Sequence, residues 1–310
     1  MRVNATLDIG GSRRLLHAVA KGLTAPSDYF NMLAAWDPVF GSHRNAGELH
    51  VSILDDHVSG DKVRFSSDAA SSHQVVAGVA IQLFALGIPC LYYGTEQAFA
   101  GPEKALRDQF LPDYNVGNPP PDKYLRETMF GSQHPRLSGP AGLSAGAGGL
   151  DTNLPGFGAF GTTGHHCFDL SNPTFVRIAA LAQVRKANPV LRYGRQYQRQ
   201  ISNFGAPFVL PPGGELIAWS RILDDEEALC VVNGHGTQSR GGEVVVDAAL
   251  NKGISASFVV LVNTAQAASA AFSGTHAVGE HLPVQFRAGT AFVQINNLPP
   301  SEVLVLTNRP

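Results

Sequence analysis

The feature that most constrains the fold of this 310-residue chain is a change of hydrophobic period near Gly194. Before it, apolar residues recur at helical spacing between short apolar runs; after it, they alternate with polar ones. A chain with both periods needs two kinds of layer, so the expected class is α/β plus all-β. In the first part, residues 3–9, 49–54 and 88–93 read as strands. Residues 13–22 and 71–86 read as helices, the latter with Val75, Val76, Val79, Leu83 and Phe84 on its apolar face. Another helix is expected from Ser27, with Tyr29, Phe30 and Leu33 inward. Strands and helices at this spacing imply parallel strands joined by crossover helices. Residues 97–171 carry no such pattern and are dense in Gly and Pro from 131 to 164, which reads as one long loop. Asn172-Pro173 then opens a helix over 174–191. Eight short strands are expected beyond it, at 197–201, 216–222, 228–233, 243–247, 257–262, 284–287, 291–295 and 302–306. Their turns, such as Asp224-Asp225 and Leu298-Pro299-Pro300, are spaced as in an antiparallel sandwich. The domains are therefore drawn at 1–193 and 194–310.

Composition narrows the partners. Hydrophobic residues make up 44%, enough for packed cores and too many for a disordered chain. A net charge of −2 supplies no basic field, so neither nucleic acid nor an anionic membrane is an expected partner. The longest apolar run, 75–93, is broken by Gln82, Gly87 and Pro89 and is not a bilayer span. The first residues do not open into a signal-like apolar stretch, so the cytoplasm is favoured, with localisation otherwise open. Cys90, Cys167 and Cys230 are far apart and read as small buried hydrophobes.

The strand ends carry the chemistry. Gly87-Ile88-Pro89-Cys90-Leu91-Tyr92-Tyr93-Gly94-Thr95-Glu96 resembles the eighth barrel strand of the alpha-amylase family of glycoside hydrolases, where Gly-x-Pro-x-x-Tyr-Tyr-Gly-x-Glu is typical. Val51-Ser52-Ile53-Leu54-Asp55-Asp56-His57 resembles that family's seventh strand, which ends in an Asn/Asp-His-Asp cluster. The helix at 174–191 and the sandwich after it match the last barrel helix and C-terminal domain. The resemblance implies a partial (β/α)8 TIM barrel, about strands six to eight with the 97–171 loop, followed by an antiparallel β-sandwich. It also implies a retaining glycoside hydrolase or transglycosylase of carbohydrate metabolism, with an α-glucan or oligosaccharide substrate; from the residues themselves, no cofactor and no metal are expected. In such a barrel, the strand C-termini converge on one mouth. Carboxylates there stabilise an oxocarbenium-like centre and bind hydroxyls, and an aromatic ring stacks on a pyranose face.

On this basis Asp56 and His57 are the candidate catalytic residues, and Asp55, Tyr93 and Glu96 the candidate substrate-binding ones. The family pattern has an aspartate directly after the histidine, where this chain has Val58. Either that carboxylate is lost or its role has moved to Asp56, the reading preferred here. Successive strand residues face opposite ways, so Asp55 and Asp56 line one mouth only if the strand has ended. By the same token, Tyr92 and Tyr93 should divide between barrel interior and helices, leaving at least one in the core. The family's nucleophile and acid/base sit on strands four and five. If Leu7-Asp8-Ile9 is strand six, both precede Met1, and the expectation is a C-terminal fragment without activity of its own. Its partners would be an α-glucan and the missing N-terminal half of the barrel. The alternative is a non-catalytic carbohydrate-binding or structural module.

Other patterns read as ordinary structure. Gly142-Leu143-Ser144-Ala145-Gly146 and Gly156-Phe157-Gly158-Ala159-Phe160-Gly161 lack the strand and helix that a nucleophile elbow or dinucleotide fingerprint requires. His165-His166-Cys167 has no second ligand pair and reads as loop packing. Asp224-Asp225-Glu226-Glu227 reads as a solvated hairpin turn, and Trp219 as core.

Overall fold

The computed structural model describes residues 6–8, 10–35, 47–56, 64–71, 73–99, 170–253 and 255–309. His57, Trp36, Cys167 and the motifs at 142–146, 156–161 and 165–167 lie outside the described residues. The chain begins with β1 (Thr6–Asp8), α1 (Gly11–Ala20), α2 (Pro26–Ala35) and β2 (His50–Ile53). After a 3-10 turn at Phe65–Asp68 come α3 (Val75–Phe84) and β3 (Ile88–Cys90). The three strands form one parallel sheet in the order β1-β2-β3, with Val51 opposite Ile88 and Ile53 opposite Cys90. The α/β part therefore has the parallel pairing that its spacing predicts.

Beyond a 3-10 turn at Thr95–Gln97 lie α4 (Pro173–Ala187) and α5 (Val190–Tyr193). The single helix expected over 174–191 is thus two. Pro189 disfavours helical backbone at Asn188, which adopts φ −114°, ψ 105°. The Asn172 side chain caps α4 by accepting from the Thr174 amide, and Pro173 occupies the first helical position.

Ten strands follow: β4 (Arg195–Gln198), β5 (Ile201–Ser202), β6 (Leu216–Leu223), β7 (Glu226–Asn233), β8 (Arg240–Val245), β9 (Ser257–Asn263), β10 (His281–Pro283), β11 (Gln285–Arg287), β12 (Thr290–Leu298) and β13 (Val303–Thr307). A short helix, α6 (Thr264–Ala267), interrupts them. They build a six-stranded sheet β10-β9-β13-β7-β6-β4 and a four-stranded sheet β11-β12-β8-β5. Eight strands were expected. The segment read as one strand at 197–201 divides between the two sheets, and so does the one at 284–287 with the residues before it.

The six-stranded sheet has two apolar faces, and strand alternation sorts its residues between them. Leu216, Ala218, Leu229, Val231, Leu304 and Leu306 share a core with Val244, Val293 and Ile295 of the smaller sheet. Ile217, Trp219, Cys230, Val232, Val303 and Val305 share another with α1, α2, α3 and α4. Helix α3 consequently lies between layers, with all ten residues buried rather than one face. Trp219 is core, as expected, and so is Cys230; Cys90 is only half-buried. The acidic run at 224–227 is only partly a solvated turn. Glu227 is fully buried, accepting from Arg199 Nη2 at 2.8 Å, Ser220 Oγ at 2.5 Å and Asn251 Nδ2 at 2.8 Å. No helix among the described residues is long and apolar enough to cross a membrane.

Candidate active-site rim

Because Ile53 pairs with Cys90, the chain leaves β2 and β3 side by side. Gln82 of α3 clamps both ends, donating through Nε2 to the carbonyls of Ser52 at 3.0 Å and Cys90 at 3.3 Å. Past β3 the backbone turns at Gly94, with φ +82°. A Cβ there would lie 2.3 Å from the Phe99 ring, so glycine is required on both counts. Gln97 follows, buried, and Asn172 Nδ2 donates to its backbone and side-chain oxygens at 3.2 and 3.3 Å. The cap of α4 thereby fixes the turn that carries Thr95 and Glu96.

Asp55 ties three segments together. Its Oδ1 accepts from the Phe65 amide at 2.6 Å and its Oδ2 from Thr95 Oγ1 at 3.0 Å. Arg64 Nη1 lies 3.9 Å from Oδ2, and both side chains have 0% exposure. Both Asp55 oxygens are thus engaged within the protein, in a side chain expected from sequence to contact substrate. Asp56 is also buried. As β2 ends at Ile53, strand alternation does not govern the two aspartates.

The tyrosines also lie beyond their strand, so the division into one interior and one helix-facing ring does not arise. Neither is core: Tyr92 is half-buried and Tyr93 is 36% exposed. Their rings meet edge-on with centroids 4.6 Å apart. The Arg64 guanidinium lies 4.4 Å from the Tyr92 centroid, 5.4 Å from Tyr93 and 5.6 Å from Phe99. Arg64 Nη1 also donates to the Tyr93 carbonyl at 2.9 Å. Glu96 is half-buried. Burial raises its carboxyl above the usual carboxylate range, opposed by the amides of Glu96 and Gly94 and by the Arg64 charge.

Arg64, Thr95 and His17 belong to this site without having been singled out from sequence. The His17 Nε2–H donates to the Leu54 carbonyl at 2.6 Å, and the ring meets Phe65 edge-on at 5.0 Å. Burial holds its pKa below the ordinary value, with the Asp55 charge opposing. His17 therefore acts as a neutral donor that braces the end of β2. Thr95 was inside the quoted motif. Arg64 lies in an aperiodic stretch, and only its tertiary partners reveal it. Among the described residues, no group of three or more His, Cys, Asp or Glu is placed to hold a metal.

Chemically the rim offers an exposed phenol ring and a carboxyl group that retains its proton more strongly than usual. It suits stacking on, and hydrogen bonding to, a polyhydroxyl ligand. No protein-family model matches the chain. The chain is 26% identical over 197 residues to a cyclomaltodextrin glucanotransferase of Paenibacillus macerans, covering 64% of this chain and 18% of that protein. One from Niallia circulans is 26% identical over 153 residues, or 49% of this chain and 13% of that protein. The structure of a cyclomaltodextrin glucanotransferase with a three-domain ABC distribution superposes on 97% of this chain and 44% of its own, with TM-score 0.55 and 18% identity. The alpha-amylase of H. orenii covers 98% of this chain and 49% of its own, with TM-score 0.54 and 17% identity. The chain is similar to the C-terminal part of alpha-amylase family glycoside hydrolases. It spans less than a fifth of the length of these curated family relatives. The likeness of fold runs through both the parallel sheet and the sandwich, since the structural matches cover nearly the whole chain.

Proposed function

We propose that this chain forms one rim of an α-glucan site: strands six to eight of a (β/α)8 barrel at 1–193, with the C-terminal β-sandwich at 194–310. The observation that carries this reading is the juxtaposition at the ends of β2 and β3. Asp55 accepts from Thr95 across the two strand ends, which sets the acidic run beside the Tyr-Tyr-Gly-Thr-Glu run. The curated relatives carry the name cyclomaltodextrin glucanotransferase, which supports an α-glucan-active hydrolase or transglycosylase as the parent activity, and the family resemblance adds retention. In that reaction a nucleophile forms a glycosyl-enzyme and an acid/base protonates the leaving oxygen, while further carboxyl groups hold the sugar hydroxyls. Tyr93 supplies the stacking face and Glu96 a hydroxyl contact. Asp55 is a positioning residue. Asp56, with His57, stands for the third carboxylate.

The nucleophile and acid/base are assigned by resemblance to strands four and five. The three described parallel strands answer to the later ones. The 310 residues alone are therefore expected not to turn over maltoheptaose, because loss of such a nucleophile costs a factor of about 10⁴–10⁶. Product analysis after prolonged incubation checks this. Glucose or cyclic products that vanish in Asp56→Asn would contradict it. The proposed partner is the missing N-terminal half of the barrel, and turnover restored when strands one to five are supplied would support that completion. The non-catalytic reading rests on Val58 in place of the family's aspartate, and maltoheptaose binding without turnover in such a reconstituted pair would favour it.

A further inference from the structure

We infer that Arg64 is the positioning residue of this rim: its buried guanidinium props the Tyr92–Tyr93 pair from behind and fixes the aromatic face that a sugar ring would meet. The inference rests on the α-glucan reading for the sugar, but not for the geometry. Three contacts converge on one planar cation. It lies within 4.4–5.6 Å of three ring centroids, donates to the Tyr93 carbonyl at 2.9 Å, and faces the Asp55 carboxylate at 3.9 Å. Each contact uses a different property. The ring faces meet the delocalised cation, the carbonyl accepts an N–H, and the carboxylate meets the charge. A lysine retains the charge, but its single ammonium group cannot keep a delocalised cation near both rings while donating to a carbonyl beside them.

Position matters because Tyr93 is outside the sheet. It lies beyond β3, which stops at Cys90, and it is partly exposed. The Arg64 charge also acts on Glu96, where it opposes the effect of burial. One residue therefore touches the aromatic pair and also bears, as the smallest of the influences opposing burial, on the neighbouring carboxyl.

The test uses the full 310-residue chain and needs no sugar. Arg64→Lys and Arg64→Met are compared with wild type by Tyr92 and Tyr93 ring-proton shifts and by carbon-13 titration of the Glu96 carboxyl. Arg64→Lys is expected to fold, to shift both ring signals and to leave the Glu96 midpoint near its wild-type position. Arg64→Met, where near-UV dichroism of Trp219 shows a native core, is expected to shift the rings and to raise the Glu96 midpoint. If Arg64→Met does not fold, the lysine variant decides alone through the ring signals. Ring signals unchanged in folded Arg64→Lys would overturn the inference, leaving Arg64 as a partner of Asp55 only. A maltotriose titration of wild type separates the two claims. No binding with the expected ring shifts leaves Arg64 in place and removes the α-glucan reading.

Discussion

Gly94 carries more of the rim than any polar residue, because no other residue type satisfies both of its constraints. An L-side chain at φ +82° is strained, and a Cβ at 2.3 Å from Phe99 must displace a buried ring. Gly94→Ala is expected to destabilise the chain by about 2–4 kcal/mol, measurable by urea unfolding. The glycine was legible in the motif; its ring partner was not, since Phe99 follows the quoted run. The same contrast holds for the acids. Asp55 and Asp56 stand out in sequence as a pair, but only tertiary structure shows Asp55 holding the Phe65 amide and Thr95 hydroxyl. Burial also lowers the pKa of His17, His73 and His276 from 6.5. A base depressed on folding binds fewer protons in the native than in the unfolded state, so its contribution is complete above pH 6.5 and lost as pH falls through the folded value. Stability measured by denaturant midpoint should therefore decline on acidification from pH 7 to 5. A rise across that interval would contradict neutral, buried histidines.

At the level of elements, the end of α3 depends on the sandwich. A helix leaves its last carbonyls without intrahelical partners. Here the Phe84 carbonyl accepts from Arg221 Nη1 at 2.7 Å and Trp219 Nε1 at 3.2 Å, and the Leu83 carbonyl accepts from Arg185 Nε at 2.6 Å. The Leu86 amide donates to Gln196 Oε1 at 2.8 Å. Arg221 also donates to the carbonyls of Gly194 and Arg192, and burial brings its pKa down to about 10. Arg221→Leu should cost about 2–4 kcal/mol by stranding these acceptors, read as a loss of urea midpoint. The elements themselves were largely readable: α3, α4 and most of the sandwich strands follow from period and turn residues. What period could not give is which face of β6 or β7 meets which layer. Both faces are apolar, and a strand buried on two sides loses the polar alternation that distinguishes inside from outside.

Across the whole molecule, the boundary drawn at Gly194 is a change of architecture within a continuous core. Ile217, Trp219, Cys230, Val232, Val303 and Val305 pack against the helices. Arg177 and Glu302 close the other end of the seam with a bidentate pair, the shortest contact being 2.6 Å. Residues 194–310 expressed alone would expose that whole apolar face, and they are expected to aggregate or to bind a hydrophobic dye, as checked by light scattering. A soluble, monomeric, cooperatively melting sandwich would show the seam to be dispensable. The rim at the other end of the parallel sheet is tested most directly by calorimetric titration of the 310-residue chain with maltoheptaose, wild type against Tyr93→Ala. The expected result is saturable binding in the millimolar range that Tyr93→Ala removes while Trp219 dichroism stays native. Binding unaffected by Tyr93→Ala, or none by wild type at saturating sugar, would contradict an α-glucan rim at the ends of β2 and β3.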